Sequence, residues 1–368
     1  MVGLRPLGVE AARSPTNRGN VRAARGRRPN PKEDHADTDP RWMERRPTLS
    51  LTTLMVTCVA VKWIRSYTLR LSVRRASAAL MVMFFFLVCY YVAHLEKQGI
   101  TNRRRFVAYT QEEFAYHVAG DVNVIQRYFW MAARKPSKYG NYRRLNRVSQ
   151  ALLDANRDLP GAVNRTWSFV IVRSMVPSAF VLPNCRSYFF EGLFKVCEND
   201  DILSFVVAHE MAHCLLDHTL EKESLAYFLD KLNTLVWASS LALIRGNIKG
   251  HPALHYAVFL PHSRSMELEA DSLALRMAAK ACFDFRYSVV YFDNAVALKK
   301  RAMGTKKTKK IFSTHPTRRE RVSALYAQMD AARELHKDRN CPPLLPMRKK
   351  DEARVGALLS EIAQEGTE

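Results

Sequence analysis

The sequence predicts a mostly helical α+β protein with a small β-sheet, preceded by one transmembrane helix. Three observations lead there. Residues 76–93 form an uncharged, mostly apolar run. Most of the chain beyond residue 93 carries apolar residues at helical spacing, and only 169–173 and 178–190 concentrate the Phe, Val, Ile and Tyr typical of strands. The expected layout is a disordered, transit-like region over 1–75, a membrane segment over 76–93, a domain over 94–335 that is large enough to bury a core, and a tail over 336–368.

Residues 1–47 are rich in Arg, Pro and Gly, with an acidic patch at Glu33, Asp34, Asp37 and Asp39, a composition that resists packing. From Met55 to Arg75 the chain is acid-free, contains Arg and Ser, and is amphipathic, as transit peptides are. The working presequence is therefore expected to begin at Met43 or Met55. The run Ala76–Ala93 is just long enough for a hydrocarbon core of about 30 Å. Lys62, Arg65, Arg70, Arg74 and Arg75 precede it, against Lys97, Arg103, Arg104 and Arg105 after it. That small excess favours the N-terminus on the positive-inside face.

Beyond the span, Thr110-Gln111-Glu112-Glu113 reads as a capping box opening a helix through Trp130. Further helices are expected over 143–156, 221–245, 263–282 and 284–303, the last closed by Gly304. The apolar stretch Leu235–Ile244 is too short to cross a bilayer. The two strands are read either as plain core strands or as an exposed edge able to pair with an extended peptide. Pro316 suits a first helical position, and Val322, Leu325, Tyr326 and Met329 continue with helical spacing. The tail carries Pro342, Pro343 and Pro346 and then a short helix.

The formal net charge is +22. Residues 1–95 hold 16 Lys/Arg and 6 Asp/Glu, residues 96–368 hold 41 and 29, so the domain is itself basic. Lys299, Lys300, Arg301, Lys306, Lys307, Lys309 and Lys310 make one basic cluster. No recognised module accompanies it, which excludes nucleic acid as the expected partner. An anionic lipid surface fits better, with a solvated loop as the alternative. The seven cysteines (Cys58, Cys89, Cys185, Cys197, Cys214, Cys282, Cys341) lack metal-type spacing, and their odd number argues against a full disulfide framework.

The chemistry centres on His209-Glu210-Met211-Ala212-His213, inside an apolar run preceded by Asn199, Asp200 and Asp201, which suit a helix N-cap. Residues four apart on a helix are separated by about 6 Å of rise and about 40° of rotation. Both imidazoles can therefore reach one metal ion, and Glu210 can handle the proton of a water held there. A histidine pair in so apolar a setting is costly unless each ring has a partner.

The third ligand separates the classes of zinc peptidase. A metzincin would place Gly and His where this chain has Leu216 and Thr219. The glutamates where a thermolysin-like enzyme carries its ligand, Glu221 and Glu223, have no acidic residue four positions later. In Ser263-Arg264-Ser265-Met266-Glu267-Leu268-Glu269-Ala270-Asp271, Glu267 and Asp271 lie one turn apart. Glu267 is the expected metal ligand, and Asp271 the expected acceptor for an imidazole N–H behind it. Two histidines and a glutamate form the gluzincin ligand set, leave a position for water, and call for one Zn²⁺ per chain. Glu269 points off that face and reads as solvated. His218, five residues past His213, is rotated away and reads as structural. His315 would stand at a helix N-terminus, where imidazole and dipole together can stabilise an oxyanion, or it is a surface capping histidine. Arg321 either fixes a carboxylate near the site or is solvated.

The His-Glu-x-x-His helix, the Ser-Arg-x-x-Glu-x-Glu-Ala-Asp segment, and Ser313-Thr314-His315-Pro316 with Arg321 resemble the membrane metallopeptidase family of HtpX and the CAAX prenyl protease. Leu215-Leu216-Asp217-His218, Ala278-Ala279-Lys280-Ala281-Cys282 and His94-Leu95-Glu96 with Arg103–Phe106 resemble its mitochondrial inner-membrane branch, whose activity overlaps that of the m-AAA protease. The chain departs from the pattern at Ser178–Cys185, where relatives read Asn-Ala-Phe…Pro-Gly-Gly. The resemblance implies a zinc endopeptidase facing the intermembrane space. It would cleave membrane proteins in quality control and in stress-induced processing of a dynamin-like GTPase. A second copy of the chain is a compatible partner. Other readings stay open from sequence: an inactive membrane scaffold, a basic adaptor, or an endoplasmic-reticulum CAAX-type peptidase.

Overall fold

In the computed structural model the described residues are 56–57, 60, 73–133, 140–244, 252–303 and 316–364. The transit-like region expected over 1–75, Gly304, Lys306–Lys310 and His315 fall wholly or almost wholly outside them. Helix α1 (Val73–Ala93) leads into a hairpin of β1 (Leu95–Lys97) and β2 (Arg104–Phe106). Its last turn is fixed by aromatic contact: Tyr91 stacks on Phe106 at 4.9 Å, and both meet Phe228 at 5.2 Å.

Among the described residues no helix is long and apolar enough to cross a membrane. The span expected at 76–93 is thereby corrected to a helix with an exposed apolar surface that includes Met81, Phe84, Phe85 and Phe86.

Helix α2 (Gln111–Ala132) opens on the expected capping box, with Thr110 accepting from Glu113 N and the Glu113 side chain accepting from Thr110 N. Helix α3 (Gly140–Ala155) buries Leu145, Val148 and Leu152 on one face. The sheet has order β3 (Ser168–Val172), β5 (Arg186–Phe190), β4 (Ala179–Val181); β3 runs parallel to β5, and β4 antiparallel. The expected strand 178–190 is thus two strands. Cys185 sits between them at φ 58°, a left-handed residue that reverses the chain. Phe129 of α2 packs on Phe180 and Tyr188 at 5.3 Å. A short 3₁₀ turn (Glu191–Lys195) comes next and leads into the core.

That core is built on α4 (Asp200–Leu215), whose apolar residues are buried all round. It packs against α3, α6 (Pro252–Lys280) and α7 (Tyr287–Met303), while α5 (His218–Ile244) runs beside α6. Helices α8 (Arg318–Tyr326), α9 (Met329–Asp338) and α10 (Lys349–Gln364) complete the cover, with Leu358 of α10 in the main cluster. Helix α8 starts later than expected. Thr317 is its N-cap and pairs with Glu320 in a second capping box, so Pro316 precedes the cap. Val322 and Leu325 are buried as their spacing requires, Met329 belongs to the next helix, and Tyr326 is exposed. Two disulfides form, Cys185–Cys214 and Cys282–Cys341, while Cys89 and Cys197 are free among the described residues.

Candidate metal centre

Helix α4 starts where Asn199 accepts a hydrogen bond from Ile202 N at 2.9 Å, and Asp200 and Asp201 face the positive end of its dipole. Its pitch puts His209 and His213 on one side, their rings 4.6 Å apart. Helix α6 packs across that side and brings Glu267 to the same point. His209 Nε2 lies 3.1 Å from His213 Nε2, and the Glu267 carboxylate lies 3.7 Å from the first and 3.5 Å from the second. All three donor atoms fall within 4.8 Å of one another. Ligands at about 2.0–2.1 Å from a tetrahedral zinc stand about 3.4 Å apart, so the cluster has the size that ion requires. Two nitrogens and one carboxylate oxygen also match the chemistry of a three-ligand zinc site with a coordination position left for water. Glu210 is buried on α4 between the two histidines.

Asp271, one turn after Glu267, places Oδ1 3.0 Å from His209 Nδ1. That nitrogen is buried, and the Asp271 carboxylate is the group that faces it. Burial pushes the His209 imidazole down, but Asp271 beside it outweighs burial and the net direction is up. Burial, with His209 and His218 nearby, holds His213 well below its ordinary value and keeps it neutral, as a ligand must be. Asp271 would be raised by its own burial; Arg321 reverses the sign and holds it ionised. The Arg321 guanidinium makes a two-pronged contact with Asp271 at 2.6 Å on each prong and reaches Glu267 at 3.4 Å. It also lies over the Phe292 ring at 4.7 Å. Of its two sequence readings, a cation that fixes a carboxylate is the one realised.

Residues 141–329 match peptidase family M48, just over half of the chain. The chain belongs to peptidase family M48. Relatives named mitochondrial metalloendopeptidase OMA1 include those of Bos taurus and Homo sapiens, each 32% identical over 269 residues, covering 70% of this chain and 50% of theirs. The relative of that name from Schizosaccharomyces pombe is 29% identical over 252 residues, 68% of this chain and 72% of its own. The chain thus spans about half the length of the bovine and human relatives.

Within this M48 domain two sequence readings are corrected. Glu269 is not solvated. Its carboxylate is largely buried and is held by Arg103 Nε at 2.8 Å, by the Thr101 hydroxyl, and by His218 Nε2 at 3.2 Å. It does point off the ligand face, but toward other protein groups. His218 is not rotated away from the site either. The helix does not continue past Leu216: Asp217 takes a left-handed φ of 53°, and α5 begins on a new axis. This returns His218 beneath His213, Nδ1 to Nδ1 at 2.8 Å. Uninterrupted helical geometry was the wrong premise, and the Leu-Leu-Asp-His segment was the available signal. His315 lies outside the described residues, so no contact is assigned to it.

Proposed function

We propose that this chain is a zinc-dependent endopeptidase of the mitochondrial inner membrane. The convergence of His209, His213 and Glu267 at spacings suited to zinc carries this reading. The three side chains hold one Zn²⁺ per chain, with Asp271 supporting His209 from behind. Zinc, when bound there, lowers the pKa of a water to about 7 and polarises the peptide carbonyl. Glu210 accepts the proton of the attacking water and returns it to the departing amine. Arg321 keeps Asp271 ionised, and burial keeps His213 neutral, so both sit in the protonation state that ligation demands. The family resemblance, not a described contact, suggests His315 for the oxyanion formed in the attack.

The substrates are membrane proteins, handled in quality control and in stress-induced processing, with a dynamin-like GTPase as the substrate class that the family resemblance suggests. The mitochondrial names of the relatives support the compartment. Exposed phenylalanines on α1 support attachment to the bilayer, and the family resemblance suggests the intermembrane space for the catalytic domain. Glu210→Gln tests the reading. The variant should bind one zinc per chain and melt as the wild type does, yet leave membrane substrates uncut in mitochondria. Cleavage retained by this variant overturns the assignment.

A further inference from the structure

We propose that His218 and Glu269 are positioning residues for His213, forming with Arg103 a relay that fixes the tautomer and ring plane of this metal ligand. The proposal rests on the zinc-peptidase reading and adds residues to it. His213 turns Nε2 toward the cluster and Nδ1 away from it, toward His218. A ring that ligates through Nε2 carries its proton on Nδ1. Two Nδ1 atoms 2.8 Å apart cannot both donate, so His213 donates and His218 Nδ1 accepts. The proton of His218 then sits on Nε2, which faces Glu269 Oε2 at 3.2 Å. Glu269 must be an acceptor, hence ionised, and Thr101 and Arg103 are the donors that keep it so. Arg103 is held in turn by both oxygens of Glu221, at 2.7 and 2.6 Å, and Glu221 meets His262 at 3.1 Å. From His213 to Arg103 every proton has one consistent place.

The relay is also closed to solvent where it matters: the His218 side chain is 1% exposed and that of Glu269 is 9% exposed. Bulk water therefore does not substitute for either partner. The two ligating histidines are supported differently. His209 meets its carboxylate, Asp271, directly, whereas His213 reaches its carboxylate through a second imidazole. Thr101 and Arg103 lie in and beside the turn of the β1–β2 hairpin that succeeds α1. The relay thus ties a metal ligand to the segment that leaves the apolar helix.

The experiment measures zinc affinity of the full chain by competition with a chromophoric chelator, alongside kcat and KM on a quenched peptide at saturating zinc. Outer partners of ligating histidines are worth about 10–100-fold in metal affinity. His218→Phe, which fills the space without an acceptor, should lose about that much and lower kcat with KM unchanged. His218→Asn, whose carbonyl can occupy the acceptor position, should recover most of the loss. If His218→Phe does not fold, Glu269→Met decides, since it removes the acceptor from His218 at similar volume. The double variant His218→Phe/Arg103→Met should bind zinc no worse than His218→Phe alone. Affinity within twofold of wild type in either His218→Phe or Glu269→Met overturns the relay. A wild-type chain that binds no zinc overturns the peptidase reading instead.

Discussion

Replacing Arg321 by methionine removes the cation from a pair whose side chains are 13% and 1% exposed. The Asp271 carboxylate then stays behind, buried and with both of its 2.6 Å contacts gone. Truncating one partner of such a pair costs about 3–5 kcal/mol, because the remaining buried charge loses its guanidinium and keeps only His209 beside it. Methionine keeps most of the packing on Phe292, so the loss is mainly electrostatic. At about 2–4 °C per kcal/mol for a domain of this order, the melting temperature should fall by about 6–20 °C. Metal changes the outcome. An ion on His209 places positive charge on the far side of the ring that Asp271 faces, so the zinc-loaded variant should lose less than the metal-free one. Scanning calorimetry of both forms measures the difference. Arg321→Lys should restore only part of the stability, since a point charge cannot make both prongs. A metal-free Arg321→Met protein that melts within about 1 kcal/mol of wild type would refute the description of this pair.

Gly192→Ala should destabilise the domain by about 1–3 kcal/mol, because the added Cβ would stand 2.1 Å from Met175 O and 2.4 Å from Met175 C, and backbone cannot yield cheaply. A shift in the urea midpoint at constant m reads this out. Opening Cys282–Cys341, which closes a loop with a sequence separation of 59, should cost about 4 kcal/mol by the loop-entropy relation. A Cys341→Ser chain as stable as wild type would contradict it. Burial pushes the Glu269 carboxyl up, but His218, Arg103 and Thr101 reverse this and bring it to about 2. Its folded value lies below the unfolded one, so the stability it contributes is complete above about pH 4.5 and is lost as pH falls toward 2. Melting temperature should therefore depend less on pH between about 5 and 3 in Glu269→Gln than in wild type.

Legibility in the chain depended on locality. The helix that carries His209 and His213 announces itself through an Asn cap and a continuous apolar run, and the capping box at Thr110 needs only four residues. Glu267 and Asp271 could be paired from spacing because one helical turn separates them. Periodicity extended too far misled. It treated 178–190 as one strand and His218 as part of the α4 helix, and in both places a single left-handed residue, Cys185 or Asp217, breaks the repeat. Neither residue is glycine; Cys185 carried no compositional warning, whereas Asp217 is of a type that enters the left-handed region more readily than most.

The sequence by itself determined the His-Glu-x-x-His pentad, the glutamate two helices later, and the helices that present them, because these depend on capping and spacing within a few residues. Only the tertiary structure decided which cation neutralises Asp271, that Glu269 and Arg103 stand behind His218, and which cysteines pair. Those partners lie 50 to 166 residues apart for Arg321–Asp271, Glu269–His218 and Arg103–Glu269. Charge pairs over such separations have no periodic signature, since chain packing alone brings them within reach of one another.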